Sequence, residues 1–376
     1  MSNVRITGVG IHPFGRFEGV TTTDMGVHAV RAALAEAGNP RFDAAFCGTA
    51  YGGVASGHKV LGALARTGMP IVDVEAGCAS GGAALQLAAG AIRAGQYDSV
   101  LVFGVEKMPK GIIRSSFFEP WREEAGLAAT PAYFALRAQR LLRESGLTKE
   151  HLADVVVKNR DNGVHNPNAM FRKPVTREEV LASRVVCEPL HLWMLCSPNE
   201  GAAAIMLQRE DDAPSGSLTL ASARLRSHLP GSVLGEATPL SGIDDTDITP
   251  PSTLAARDAY EEAGIGPADV NVVECQDTDA ARELLAYQEL GLCEPGGQVD
   301  LVESGATTLR GKLPVNPSGG LLAKGEPLGA SALGQVIELV HQLRGEAGPR
   351  QVEGARVGLA HTVGRGANAC CVIVKR

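Results

Sequence analysis

The stretch that decides the fold is Val72-Asp-Val-Glu-Ala-Gly-Cys78-Ala-Ser-Gly-Gly-Ala-Ala-Leu-Gln-Leu87. An apolar run typical of a strand stops at small residues, and one cysteine stands where an alanine-rich helix is predicted. The first turn of a helix has unpaired backbone N–H groups and partial positive charge. A thiol at that point loses its proton more readily, and the thiolate is the reactive form. The segment predicts a nucleophile at Cys78; the alternative is a buried cysteine that acts only as a small hydrophobe.

A second stretch has the same design: Asn316-Pro-Ser-Gly-Gly-Leu-Leu-Ala-Lys-Gly-Glu326-Pro-Leu-Gly-Ala-Ser331. Here too a glycine-dense loop leads into a helix, predicted near residues 332–343. Strands alternating with helices indicate a layered α/β architecture, and the two similar turns form a weak internal repeat. We therefore predict an N-terminal half at 1–215, with an inserted lobe at about 108–190, and a C-terminal half at 216–376.

The composition excludes several classes of protein. The 376 residues can build two domains or one duplicated unit, and 44% apolar with 20% charged residues is ordinary for a soluble globular protein. A net charge of −7 argues against nucleic acid as the main partner. Eight cysteines without metal-ligand spacing disfavour a metal site. The absence of a signal peptide and of a membrane-length apolar run predicts a cytoplasmic protein with free thiols and no membrane contact.

Together with His361-Thr-Val-Gly-Arg-Gly-Ala367, these segments resemble the thiolase superfamily, and among its branches the sterol-carrier-protein (lipid-transfer) type. The resemblance covers essentially the whole chain. Further matching segments, in the same order, are Gly104-Val-Glu-Lys-Met108, Cys196-Ser-Pro-Asn-Glu-Gly-Ala-Ala-Ala204 and Leu290-Gly-Leu-Cys-Glu-Pro-Gly-Gly297. It implies a duplicated α-β-α-β-α fold with an inserted loop lobe and a homodimer built through the central sheet. It also implies acyl-CoA thioester substrates and no tightly bound cofactor.

The resemblance makes Cys78 the acylated nucleophile, but other expected groups are replaced. Two histidines and a second cysteine usually complete this site. Gln276 and Thr278 stand where the first histidine and the cysteine belong, and Glu326 stands at the second histidine. Gln276 can donate a hydrogen bond but cannot carry a proton at neutral pH. An ionised Glu326 only accepts, whereas a buried Glu326 with a raised pKa can act as a general acid or base. Ordinary thiolysis of 3-ketoacyl-CoA is therefore doubtful.

Several further residues are candidates for the site. His361 matches a family histidine, either as an acid, base or substrate contact near Cys78, or as a hydrogen-bonded histidine that braces a glycine loop. Lys324 is either a solvated charge or a phosphate contact. We also predict contacts to the CoA thioester from Ser318, Gly319 and Gly366, with a loop-shaping role as the alternative for Ser318.

Three functions are consistent with these residues. The first is transfer of an acyl group through Cys78 to or from a carbon nucleophile other than a standard acetyl-CoA enolate. The second is retro-aldol cleavage of a 3-hydroxyacyl-CoA, as in steroid side-chain breakdown, with Glu326, Asp277, Asp279 or His361 as the base and Cys78 dispensable. Members of that kind commonly need a small partner with an OB fold and a zinc ribbon. The third is a non-catalytic subunit that has kept the fold.

Overall fold

A computed structural model of the protein describes residues 3–111, 113, 123–126, 129–229, 248–364 and 368–376. The strands are β1 Val4–Gly15, β2 Ala44–Gly48, β3 Ile71–Val74, β4 Ser99–Lys107, β5 Val185–Cys187, β6 Leu190–His191, β7 Glu200–Arg209, β8 Leu218–Ser227, β9 Val272–Cys275, β10 Val357–Gly364 and β11 Asn368–Lys375. The helices are α1 Thr22–Glu36, α2 Ser56–Ala63, α3 Ser80–Arg93, α4 Thr130–Ser145, α5 Lys149–Val164, α6 Arg177–Ala182, α7 Pro251–Ala263, α8 Ala280–Glu289, α9 Gln298–Glu303, α10 Gly320–Lys324 and α11 Leu328–Arg344. Short 3-10 helices lie at Leu192–Met194, Glu210–Asp212, Pro267–Asp269 and Gly348–Arg350.

One nine-stranded sheet, in the order β3-β2-β4-β7-β1-β8-β11-β10-β9, runs through both halves of the chain. From the middle outward, β1–β7 and β7–β4 pair antiparallel and β4–β2 pair parallel. The other half repeats this sequence with β8–β11, β11–β10 and β10–β9. Val315 takes the place of β3, since it forms a parallel bridge to Val273 in β9. The fold is therefore the predicted duplicated α/β architecture.

The helices form layers around the two half-sheets. α3 and α11 pack against each other and contact strands of both halves, which makes them the central layer. α1 and α2 cover the outer face of the first half-sheet, and α7 and α8 cover that of the second. Cys370 faces the central layer and Cys371 the outer core, because both faces of β11 are covered.

The lobe predicted at about 108–190 is mostly helical where it is described. It contains α4, α5 and α6, and its buried side chains join the core formed with α8. The capping box at Thr148 and the left-handed Gly146 before it are the local signals for this helical pair. The predicted loop lobe is thus corrected to a helical one. The half boundary at 215/216 falls between β7 and β8 and stays a prediction.

Candidate active site

The site is built where the two repeats place equivalent loops. Cys78 lies two residues before the start of α3, and Glu326 lies two residues before the start of α11. The helix predicted to begin at Cys78 therefore begins later, at Ser80, and the cysteine sits in the preceding turn. Because α3 and α11 pack side by side in the central layer, their amino ends bring the two loops together.

A compact turn fixes the position of Cys78. The Ser80 hydroxyl accepts from the Ala76 N–H at 2.9 Å and donates to the Gly77 carbonyl at 2.6 Å. Gly77 has a φ of 60°, in the left-handed region that glycine adopts without steric cost. Cys78 is 7% exposed and lines a cavity, so its sulfur is accessible to a bound ligand but otherwise shielded from solvent.

The carboxyl group of Glu326 accepts three hydrogen bonds. Its Oε1 accepts from Nε2 of Gln276 at 2.7 Å, and its Oε2 lies 3.3 Å from Sγ of Cys196. The thiol of Cys78 is the third donor. Burial raises the pKa of Glu326 above its usual range, while the hydrogen bonds from Cys78, Cys196 and Gln276 oppose that rise. The nucleophile is thus the Cys78 thiol, and the base paired with it is the Glu326 carboxylate.

Cys196 is the residue of this group that the sequence analysis overlooked. Its backbone N–H donates to the Thr278 carbonyl at 2.8 Å, and the next residue, Ser197, accepts from the Glu326 N–H at 2.9 Å. Burial, and then the nearby Glu326, raise the pKa of the Cys196 thiol well above its usual range, so this thiol remains a neutral donor. Its place in a matched segment just before a strand was the signal available in the sequence.

The cavity that Cys78 lines has a volume of about 1030 Å³. Gln276, Thr278 and Glu326 line it together with Cys78. Most of the remaining wall is apolar, with Met108, Ile113, Pro131, Phe134, Phe171, Val186, Leu192, Trp193, Leu195, Leu328 and Val363 among its side chains. Among the described residues that line the cavity there is no histidine. The cavity is therefore large and mostly apolar, and its described wall also includes the charged side chains of Glu75 and of four arginines.

Asp277, predicted as a catalytic candidate, lies outside the cavity lining. Its carboxyl group accepts from the backbone N–H groups of Leu321 at 2.6 Å and Leu322 at 3.1 Å, at the start of α10. Burial, and then the nearby Glu283, raise its pKa well above the usual range. This placement gives Asp277 a structural role, because it anchors the short helix that leads to Glu326.

Ser318, Gly319 and Lys324 are also buried behind the cavity rather than in its wall. The Ser318 hydroxyl donates to Glu274 at 2.6 Å, and the Lys324 ammonium lies 3.3 Å from the same carboxyl group. Lys324 is only 1% exposed, so the alternative of a solvated charge does not apply. The Lys324 ammonium is paired with Glu274 and does not line the cavity, so it is not placed to contact a phosphate there. The placement of Ser318, Gly319 and Lys324 therefore favours loop-shaping roles. Gly366 lies outside the described residues.

His361 is fully buried in β10. Its Nε2 lies 3.0 Å from the Ser252 hydroxyl, and burial followed by the charge of Arg282 lowers its pKa well below the usual range. A neutral histidine that does not line the cavity fits the hydrogen-bonded alternative, although the partner is α7 and not a glycine loop. The structure therefore does not bring His361 to Cys78 as an acid or base.

Models of two known domains match the chain: "Thiolase, N-terminal domain" over residues 4–211 and "Thiolase C-terminal domain-like" over residues 238–376. Acetyl-CoA acetyltransferase of Methanothermobacter thermautotrophicus is 37% identical over 378 residues, covering 97% of each chain. Benzoylsuccinyl-CoA thiolase subunit BbsB of Thauera aromatica is 35% identical over 379 residues, covering 97% of this chain and 96% of that protein. Sterol carrier protein 2 of Bos taurus is 35% identical over 399 residues, covering 100% of this chain and 72% of that protein.

A solved structure titled "Ltp2-ChsH2(DUF35) aldolase" has the same fold, with a TM-score of 0.87, 24% sequence identity, and coverage of 99% of this chain and 97% of that one. The chain belongs to the thiolase family. Its similarity to sterol carrier protein 2 places it beside the sterol-carrier-type members, and its enzymatic class is that of the acyltransferases.

Three further observations concern membrane-spanning helices, metal sites and disulfides. None of the helices within the described ranges is long and apolar enough to span a membrane. The same ranges contain no cluster of three or more His, Cys, Asp or Glu side chains arranged to hold a metal ion. None of the eight cysteines, all of which lie in the described residues, forms a disulfide.

Proposed function

We propose that the protein is a C-acyltransferase that carries an acyl group as a thioester on Cys78 and transfers it to or from a carbon nucleophile. The observation that carries this proposal is the hydrogen bond from the Cys78 thiol to the buried Glu326 carboxylate, inside a cavity of about 1030 Å³. A nucleophile within hydrogen-bond reach of a base is the arrangement that covalent acyl transfer needs.

In the acylation half-reaction, Glu326 takes the proton of Cys78 and the thiolate attacks the thioester carbonyl of acyl-CoA. Collapse of the tetrahedral intermediate forms the Cys78 thioester and expels CoA as a thiolate, which receives the proton held by Glu326. The raised pKa of Glu326 suits this exchange, because a base works best when its pKa lies near the operating pH.

The acceptor is a carbon nucleophile that forms without a strong base or an enolate-stabilising site, such as a phenolic ring or a stabilised enol. Removing a proton beside a thioester requires a base and donors for the enolate oxygen. The Gln276 amide donates its N–H to Glu326, and the described cavity wall contains no histidine that could serve as the base or as a donor to the enolate oxygen. The names of the acetyltransferase and thiolase relatives support carbon–carbon acyl chemistry at this site.

The test is intact-protein mass after incubation with acetyl-CoA and with benzoyl-CoA. We expect an acyl adduct on the unmodified protein, none on Cys78→Ala, and an adduct on Cys196→Ala. The last variant is a matched control, because it removes the other thiol that contacts Glu326. An adduct on Cys78→Ala would contradict the proposal, and so would the lack of an adduct on the unmodified protein when a small OB-fold, zinc-ribbon partner is also supplied.

The second candidate is a lyase that cleaves a 3-hydroxyacyl-CoA with Glu326 as the base. A buried carboxyl group of raised pKa can take the 3-hydroxyl proton without a thiol, and the neighbour with the same fold is titled an aldolase. This candidate gains support if Cys78→Ala still releases a short acyl-CoA from a 3-hydroxyacyl-CoA while Glu326→Gln does not.

We further propose a cytoplasmic homodimer built through the sheet. A heteromeric assembly with a small OB-fold, zinc-ribbon protein is the alternative, supported by the relative named as a subunit and the neighbour whose title joins two proteins. Addition of such a partner belongs in the mass experiment if the chain alone gives no adduct.

A further inference from the structure

The described part of the cavity wall contains four arginines: Arg16, Arg160, Arg184 and Arg282. Arg16 lies 3.5 Å from Glu200, and Arg282 hydrogen-bonds Glu289 at 3.2 Å, so carboxylates of the chain neutralise both. Arg184 is exposed, and water can solvate its charge. Arg160 differs from the other three in its surroundings.

Arg160 is only 8% exposed and projects from α5. Its guanidinium carbon lies 4.1 Å from the centre of the Phe171 ring, and its Nε is buried without a hydrogen-bond partner. No carboxylate of the described residues lies within ion-pair distance of it. Burial lowers its pKa to about 10, so it still carries a positive charge at neutral pH.

A buried cation without an anion is costly, and the attraction to the Phe171 ring offsets only part of that cost. Arginine presents a planar fork of N–H donors that matches a carboxylate, and charge-assisted pairs of this kind are the strong ones. A buried guanidinium in a ligand cavity is therefore suited to an anionic group brought by the ligand.

The position of Arg160 indicates which part of the ligand carries this anionic group. Phe171, against which Arg160 stacks, donates its N–H to the Ala323 carbonyl at 2.9 Å, three residues before Glu326. Arg160 and Glu326 thus belong to connected segments of one wall. That wall is buried and mostly apolar, which suits an acyl chain better than the hydrated phosphates of CoA.

We propose that Arg160 binds a carboxylate on the acyl group, so that the substrates are dicarboxylic acyl-CoA thioesters. This inference rests on the proposed function for the nature of the ligand, since it takes the cavity to hold an acyl-CoA. It goes further in selecting which acyl groups fit and in giving Arg160 the role of a specificity residue.

The experiment measures binding by calorimetry in the Cys78→Ala background, where no thioester can form. Pairs of equal chain length are compared: glutaryl-CoA with pentanoyl-CoA, and adipyl-CoA with hexanoyl-CoA. We expect the carboxylate member of at least one pair to bind about tenfold to hundredfold more tightly, in the range of a charge-assisted hydrogen bond. Adding Arg160→Gln removes this preference, whereas the matched control Arg184→Gln, which deletes a charge from the same cavity, retains it.

The inference is overturned if neither pair shows a preference with Arg160 present, a comparison that does not depend on how the Arg160 variant folds. It is also overturned if the preference survives in Arg160→Gln. A third overturning result is equal weakening of free CoA and glutaryl-CoA by Arg160→Gln, which would assign Arg160 to a CoA phosphate. Failure of the proposed function is seen separately, as the lack of a Cys78 adduct in the mass experiment.

Discussion

At the scale of single residues, the site depends on one carboxyl group held where water hardly reaches it. Glu326 is 5% exposed, and its hydrogen-bond donors are Gln276 and two thiols. The hydrogen bonds from these donors lower the pKa of Glu326, but by less than burial raises it. Keeping this group ionised should therefore cost folding stability, as expected where a residue is retained for chemistry.

We predict that Glu326→Gln increases the stability of the protein more at pH 8 than at pH 5. The folded-state pKa of Glu326 lies above its unfolded value, so the folded state holds the proton more tightly. Stability contributed by this group is present below the unfolded pKa and is lost as pH rises through the folded pKa. Melting temperatures across this pH range test the prediction, with the exposed Glu353→Gln as a control. A constant difference between Glu326→Gln and the unmodified protein at all pH values would contradict it.

At the scale of elements, the site is held by the close approach of β4 to the start of α11. A Cβ atom built on Gly104 would lie 2.0 Å from the carbonyl oxygen of Gly329, in the first turn of α11. Backbone contact of this kind requires glycine, because any side chain would push the helix from the strand. Since Glu326 lies just before α11, this contact also sets the position of the carboxyl group.

We predict that Gly104→Ala destabilises the protein by about 1–3 kcal/mol, the cost of overpacking a core, and slows acylation of Cys78. The matched control is Gly90→Ala at an exposed position in the last turn of α3, where the new methyl group meets no atom within 4 Å. That change should stabilise by about 0.5–1 kcal/mol, because alanine is the better helix former. Urea unfolding of both variants tests the pair, and equal effects would refute the argument from close approach.

At the scale of the whole molecule, the two edges of the sheet differ. The β9 edge carries the Val315 bridge, whereas β3 ends the sheet with no further strand paired to it among the described residues, and Val72 in it is 43% exposed. Proteins seldom leave a strand edge with apolar side chains uncovered, and a second copy of the chain can cover it symmetrically. Cys78 follows β3 by four residues, so an interface there would also support the nucleophile's turn.

We predict a dimer by light scattering and a shift to monomer for Val72→Arg, with slower formation of the Cys78 adduct. The matched control is Val185→Arg. Val185 is 50% exposed but lies in β5, outside the nine-stranded sheet. The control should leave the mass unchanged. A monomeric unmodified protein, or a dimer that tolerates Val72→Arg, would rule out the β3 edge as the interface.

The sequence by itself determined the duplicated α/β fold, because strand–helix alternation and two glycine-dense turns are local patterns that repeat. It also identified Cys78, Gln276 and Glu326, which the structure places on one cavity. The helical lobe was missed, since its capping signals stand among aromatic and turn-forming residues that resemble a loop.

Only the tertiary structure decided which polar residues face the cavity and which face the core. Lys324 and Asp277 are close to Glu326 and Gln276 in sequence, but they pair with buried partners and position α10 instead. Cys196 and Arg160 are distant from these residues in sequence and reach the cavity through folding. The side chains of residues that are neighbours in sequence can point in different directions, because side-chain direction and burial depend on packing between elements. That packing is set by long-range contacts that no local pattern contains.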